Sequence, residues 1–72
     1  MSGYVNKVRE LRNQHNVNQK ELAEAIGITQ QQISSIEKGT GYPSMTVAKK
    51  IATYFGESID EIFFTQKDNL KL

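Results

Sequence analysis

Residues 18–39 read Asn-Gln-Lys-Glu-Leu-Ala-Glu-Ala-Ile-Gly-Ile-Thr-Gln-Gln-Gln-Ile-Ser-Ser-Ile-Glu-Lys-Gly. Two short helices joined by a tight turn account for every part of this stretch. Asn18 suits the cap of a helix over residues 19–26, and Glu21 stands where a reciprocal capping box requires it. Leu22, Ala23 and Ile26 form one apolar face. Gly27 ends the helix, because the turn demands a residue that tolerates positive φ. Thr29 and Gln32 repeat the box for a second helix over residues 30–38. Ile28 and Ile33 sit where a hydrophobic staple joins the entering chain to that helix. Ile33 and Ile36 face inward, and Gly39 closes the element. The glycine-centred link of about three residues fits a helix-turn-helix. It fits equally an αα-corner in any helical bundle. In either case Ala23 lies where the helices cross closest, so a large side chain there would push them apart.

The flanking sequence adds three more helical segments. Residues 4–15 carry a stripe of Tyr4, Val8, Leu11 and His15. Beyond Gly39, Pro43 disfavours helix at Tyr42 and marks residues 40–43 as a connection. Ser44 then caps residues 45–55, whose buried stripe is Val47, Ala48, Ile51, Ala52 and Phe55, and Gly56 ends them. Ser58 caps a short segment over residues 59–64, with Glu61 at the box position. Ile59, Ile62 and Phe63 are expected inside. Residues 1–64 thus read as one domain, and residues 65–72 as a short polar tail.

Length and composition narrow the function. A chain of 72 residues buries only about 60% of its unfolded surface. It has no cysteine and one histidine, His15, which leaves no disulfide, thiolate metal site or histidine-rich metal site. No cofactor is expected. No apolar run approaches the roughly 20 residues that span a membrane, and the N-terminus lacks a signal-peptide core. A cytoplasmic, non-membrane protein is expected. No small-molecule ligand is expected, since no room remains for a separate effector domain. Ser34 and Ser35 carry no signature of an activated nucleophile, and no glycine pattern cradles a phosphate, so an enzyme is not expected. Net charge is +1. Residues 38–56 hold Lys38, Lys49 and Lys50 without an acid, whereas Glu57, Asp60 and Glu61 follow closely. This distribution is either ordinary scatter or one basic face beside a neutral-to-acidic end.

Residues 5–64 resemble the phage-repressor family of Cro/C1, or XRE-type, regulators. The resemblance rests on Gln19, Leu22-Ala23, Ile26-Gly27, Ile33, Ile36-Glu37-Lys38-Gly39, Pro43-Ser44 and the closing Ser58-Ile59-Asp60-Glu61-Ile62-Phe63. It implies an all-α, five-helix fold of the lambda-repressor type. It also implies sequence-specific binding of double-stranded DNA, usually as a homodimer on a two-fold symmetric site. Members that act as antitoxins, binding a toxin and their own operator, offer an alternative of a different class.

On this resemblance the helix opening at Gln30 enters the major groove. A glutamine amide presents one donor and one acceptor in a plane, matching adenine N6 and N7. Gln30 and Gln31 are the expected base readers, with Gln32 and Ser35 in reach. The phage-repressor pattern nearest to Thr29-Gln30-Gln31 has glutamine where this chain has Ser35, so the operator sequence does not carry over. Asn18, Gln19, Lys20, Ser34, Lys38, Thr40 and Tyr42 are expected at the DNA backbone: Asn18 and Gln19 at a helix N-terminus, whose free N–H groups favour phosphate, and Lys38, Thr40 and Tyr42 beyond the second helix, against the next stretch. The resemblance also implies a structural ion pair between Arg12 and Glu37. Phe64, Leu70 and Leu72 are expected to form the dimer patch, since one short helix cannot turn both Phe63 and Phe64 into the same core. The alternative is a frayed tail.

Overall fold

A computed structural model describes residues 6–63. Five helices follow one another: α1 (Val8–Gln14), α2 (Gln19–Ile26), α3 (Gln30–Lys38), α4 (Met45–Phe55) and α5 (Ile59–Phe63). No strand occurs among the described residues. The principal packings are α2 on α3, α4 on α5, α2 on α4 and α1 on α3. They enclose one apolar core, in which Val8, Leu22, Ile33, Ile51 and Ile62 are fully buried. Each helix contributes one of these five, so none completes its apolar face alone.

The caps explain the boundaries of the central pair. Asn18 Oδ1 accepts from Glu21 N at 2.7 Å, and Glu21 Oε1 accepts from Asn18 N at 2.8 Å. Thr29 Oγ1 accepts from Gln32 N at 3.0 Å, and Gln32 Oε1 accepts from Thr29 N at 2.9 Å. Both boxes satisfy N–H groups that a helix start leaves without partners. Gly27 has φ +80° and lies in open space, so it is glycine for its backbone conformation alone. Ala23, one turn before it, is buried, and its carbonyl accepts from both Gly27 N and Ile28 N. Ile28 is half-buried against the core, at the position expected of the staple.

Three expectations change. First, α1 begins at Val8, not near residue 4; residues 4 and 5 lie outside the described chain. Tertiary bonds set its start. Asn6 Oδ1 accepts from Val8 N at 3.1 Å, while Asn6 Nδ2 donates to Ile36 O at 2.8 Å. Lys7 N donates to Ile62 O at 2.9 Å. Backbone and side chain are thereby tied to α5 and α3 before helical bonding begins. Second, His15 lies beyond the end of α1 and is exposed, although its ring meets Phe55 edge-on at 5.1 Å. Asn16 follows with φ +57°, a conformation asparagine tolerates better than most residues. Third, Val47 is half-buried rather than central, as is Ile59. At α5, Ser58 Oγ accepts from Glu61 N at 3.0 Å. Only this half of the box forms: no bond from the Glu61 side chain back to Ser58 N occurs among the described residues.

Candidate nucleic-acid interface

The outer side of α3 separates two kinds of glutamine. Gln30 and Gln31 are exposed, and neither amide has a side-chain partner among the described residues. Gln32 is exposed as well, but its Oε1 accepts from Thr29 N and from Thr29 Oγ1 at 3.2 Å. A committed acceptor cannot pair in the same direction with a base, so only the first two amides keep their full donor–acceptor pattern. Ser34 and Ser35 are half-buried, and Lys38 is exposed in the last turn.

The other end of α3 is cross-linked. Arg12 Nε donates to Glu37 Oε2 at 2.6 Å, and Arg12 Nη2 donates to Glu37 Oε1 at 3.2 Å. This is the two-point geometry that guanidinium and carboxylate favour. Both side chains are largely buried, 11% and 5% exposed. Bonding to Glu37 raises the Arg12 pKa above its ordinary value, against the opposing effect of burial, so the guanidinium stays charged. Arg12 Nη1 also donates to Val17 O at 3.0 Å, just before α2. Gln19 completes the group, with Nε2 donating to Glu37 Oε1 at 3.0 Å. One carboxylate therefore joins α1 and the first turn of α2 to the end of α3, and Arg12 extends the link to the α1–α2 turn.

The remaining expected residues surround this helix. Asn18 and Lys20 are exposed and Gln19 is half-buried, all at the start of α2. Asn18 spends its oxygen on the cap and keeps its NH2 group. Thr40 and Tyr42 are exposed on the following loop, Tyr42 to 74%. An open groove of about 530 Å³ runs between α3 and this loop, lined among others by Gln31, Ser35, Gly41, Tyr42 and Val47. Phe64, Leu70 and Leu72 lie outside the described residues.

The sequence reading missed three participants. Asn6 joins the start of α1 to the end of α3, and its capping chemistry just before Val8 was the available signal. The bond from Gln19 to Glu37 and the approach of Gly41 to Ser35 have no local signature. Among the described residues no group of His, Cys, Asp or Glu is arranged to hold a metal ion.

Two capped helices crossing at a glycine turn, with the second one exposed and braced from behind, define a helix-turn-helix DNA-binding domain. Comparison with known proteins agrees: the helix-turn-helix family model HTH_3 matches residues 8–62. The chain belongs to this family of Cro/C1 (XRE) type transcriptional regulators. It is 43% identical over 63 residues to an uncharacterized HTH-type transcriptional regulator of Methanocaldococcus jannaschii, covering 88% of this chain and 96% of that protein. It is 38% identical over 64 residues to the uncharacterized HTH-type transcriptional regulator YgzD of Bacillus subtilis, covering 89% and 97%. It is 31% identical over 67 residues to the cryptic phage CTXphi transcriptional repressor RstR of Vibrio cholerae, covering 93% of this chain and 60% of RstR.

Proposed function

We propose that this transcriptional regulator is a repressor that binds a two-fold symmetric operator as a homodimer, with α3 in the major groove. The observation that carries the reading is the pair of exposed amides on Gln30 and Gln31, which have no side-chain partner among the described residues. They stand at the exposed start of a helix whose other end is held by a buried ion pair. A reader placed on a rigid element discriminates best, because a fixed amide plane rejects the wrong base edge. Gln32, with its acceptor on the cap, has only its NH2 group to offer a neighbouring base.

Phosphate contacts position such a domain. Asn18, Gln19 and Lys20 approach one stretch of backbone from the N-terminus of α2. Ser34, Lys38, Thr40 and Tyr42 approach the next. RstR is itself named a transcriptional repressor, which supports that direction of control. A homodimer would set the two copies of α3 about 34 Å apart, one helical turn of DNA. The domain acts in the cytoplasm on DNA, with no enzymatic step; no helix among the described residues is long and apolar enough to cross a membrane.

Selection of bound sites from random duplex DNA tests this directly. The expected result is a palindromic consensus with half-sites about one turn apart. Sites without symmetry, together with a monomer in sedimentation at high micromolar concentration, would remove the dimer. Binding that does not weaken with salt or distinguish sequences would remove the whole reading.

A further inference from the structure

Gly27, Gly39 and Gly56 have positive φ; Gly41 does not. Its backbone conformation is one that other residues adopt, so conformation does not require a glycine there. Space does. A Cβ built on Gly41 would lie 3.0 Å from Ser35 Cβ, with Ser35 C and O next at 3.8 and 3.9 Å. The atom in the way is the first of the Ser35 side chain, which no rotamer moves aside. The same residue binds the loop through its backbone. Ser35 O accepts from Thr40 N and Gly41 N, both at 3.1 Å, and from Thr40 Oγ1 at 3.4 Å. Ser35 is half-buried against this turn, unlike Gln30 and Gln31.

We infer that Ser35 is a positioning residue: its small side chain and its carbonyl seat residues 40–42 against α3 and so place Thr40 and Tyr42, and its hydroxyl does not read a base. This rests on the DNA-binding reading above. It divides the work on the two sides of the groove, with sequence read by the glutamines and affinity governed by how closely the loop lies on α3. The Ser35–Gly41 approach decides that distance, since a side chain at 41 displaces Thr40 and Tyr42 together.

The test is a cycle of four proteins: wild type, Gly41→Ala, Ser35→Gly and the double variant, with Ser35→Ala alongside. Each is measured for melting temperature, and for binding to a selected operator and a scrambled duplex over a salt series. Ser35→Ala keeps the Cβ and loses only the hydroxyl. It is expected to retain the operator-to-scrambled ratio within about twofold, since the loss of a genuine base contact would change it by more. Gly41→Ala is expected to weaken both duplexes alike, by about three- to tenfold, with a salt slope shallower by about one. In the Ser35→Gly background the same change is expected to have a smaller effect on melting and on binding, because the obstructing atom is gone.

A fall in discrimination at one base pair on Ser35→Ala would make Ser35 a reader and overturn the inference. So would an unaltered Gly41→Ala protein, or an equal effect of Gly41→Ala in both backgrounds. If the wild-type chain selects no DNA at all, the DNA-binding reading fails. The melting cycle then still decides whether Ser35 seats the loop.

Discussion

The first and last turns of α3 are held by different means. At its start the helix is secured by its own residues, through the Thr29–Gln32 box. Among the described residues nothing from another helix engages the amides of Gln30 and Gln31. At its end the helix is secured by other elements: Arg12 from α1, Gln19 from α2 and Asn6 from the entering chain. A local cap consumes little of the surface and leaves neighbouring side chains open to a ligand. A tertiary clamp fixes direction but buries the groups that form it. Placing the clamp at one end and the proposed readers at the other lets the helix be both oriented and exposed.

Breaking the clamp should have the largest effect. Arg12→Ala leaves the Glu37 carboxylate, only 5% exposed, without its cation. Removing one partner of a pair this buried costs about 3 kcal/mol. In a domain of this size that lowers the melting temperature by roughly 10–20 °C. Calorimetry should show it, and a fall of under about 3 °C would mean that the pair contributes little. Next comes the proposed reading end. Gln30→Ala should reduce preference for the correct base pair by about 1–3 kcal/mol, roughly five- to 150-fold in a competition assay, with melting nearly unchanged. Retained discrimination would contradict its role as a reader. Together the two variants test whether stability and specificity lie at opposite ends of one helix.

The cap sharpens the same contrast on a smaller scale. Thr29→Ala should destabilise by about 1 kcal/mol, and Thr29→Ser by much less, since serine retains the accepting oxygen. Denaturant midpoints would separate them. An equal loss in both would point to the methyl group instead. The smallest effect lies far from α3. The Glu57 carboxyl is raised above its ordinary value, first by its hydrogen bond to Glu61. A raised acid favours the folded state while it is protonated, and that stability is lost as pH rises through its folded-state value. The group is fully exposed, so Glu57→Gln should only slightly flatten the fall in melting temperature as pH rises from the ordinary glutamate value through the raised one. A slope equal to that of the wild type would show that the pair is inert.

Much of the fold was legible because its punctuation is local. Asn18 and Gly27 bracket α2, Thr29 and Gly39 bracket α3, and Ser44 and Gly56 bracket α4, each at the helix ends observed. The start of α1 was not legible, since Asn6 and Lys7 answer to partners on α3 and α5 that no local pattern reveals. The site divides similarly. The exposure of Gln30 and Gln31 follows from helical periodicity around Ile33 and Ile36. The pairing of Arg12 with Glu37 came only from resemblance, and Gln19 was expected to face phosphate without the bond to Glu37. Gly41 reads as an ordinary turn glycine until its neighbour Ser35 is seen.

The Asn6 amide has a consequence in time. Its bond to Ile36 spans 30 positions in the chain and that of Arg12 to Glu37 spans 25, whereas the Thr29–Gln32 box spans three. Contacts between near neighbours form first, and those that close long loops wait for the rest of the chain. The first turn of α3 can therefore take shape early, while the direction in which it points is settled only when the beginning of the chain folds back upon it.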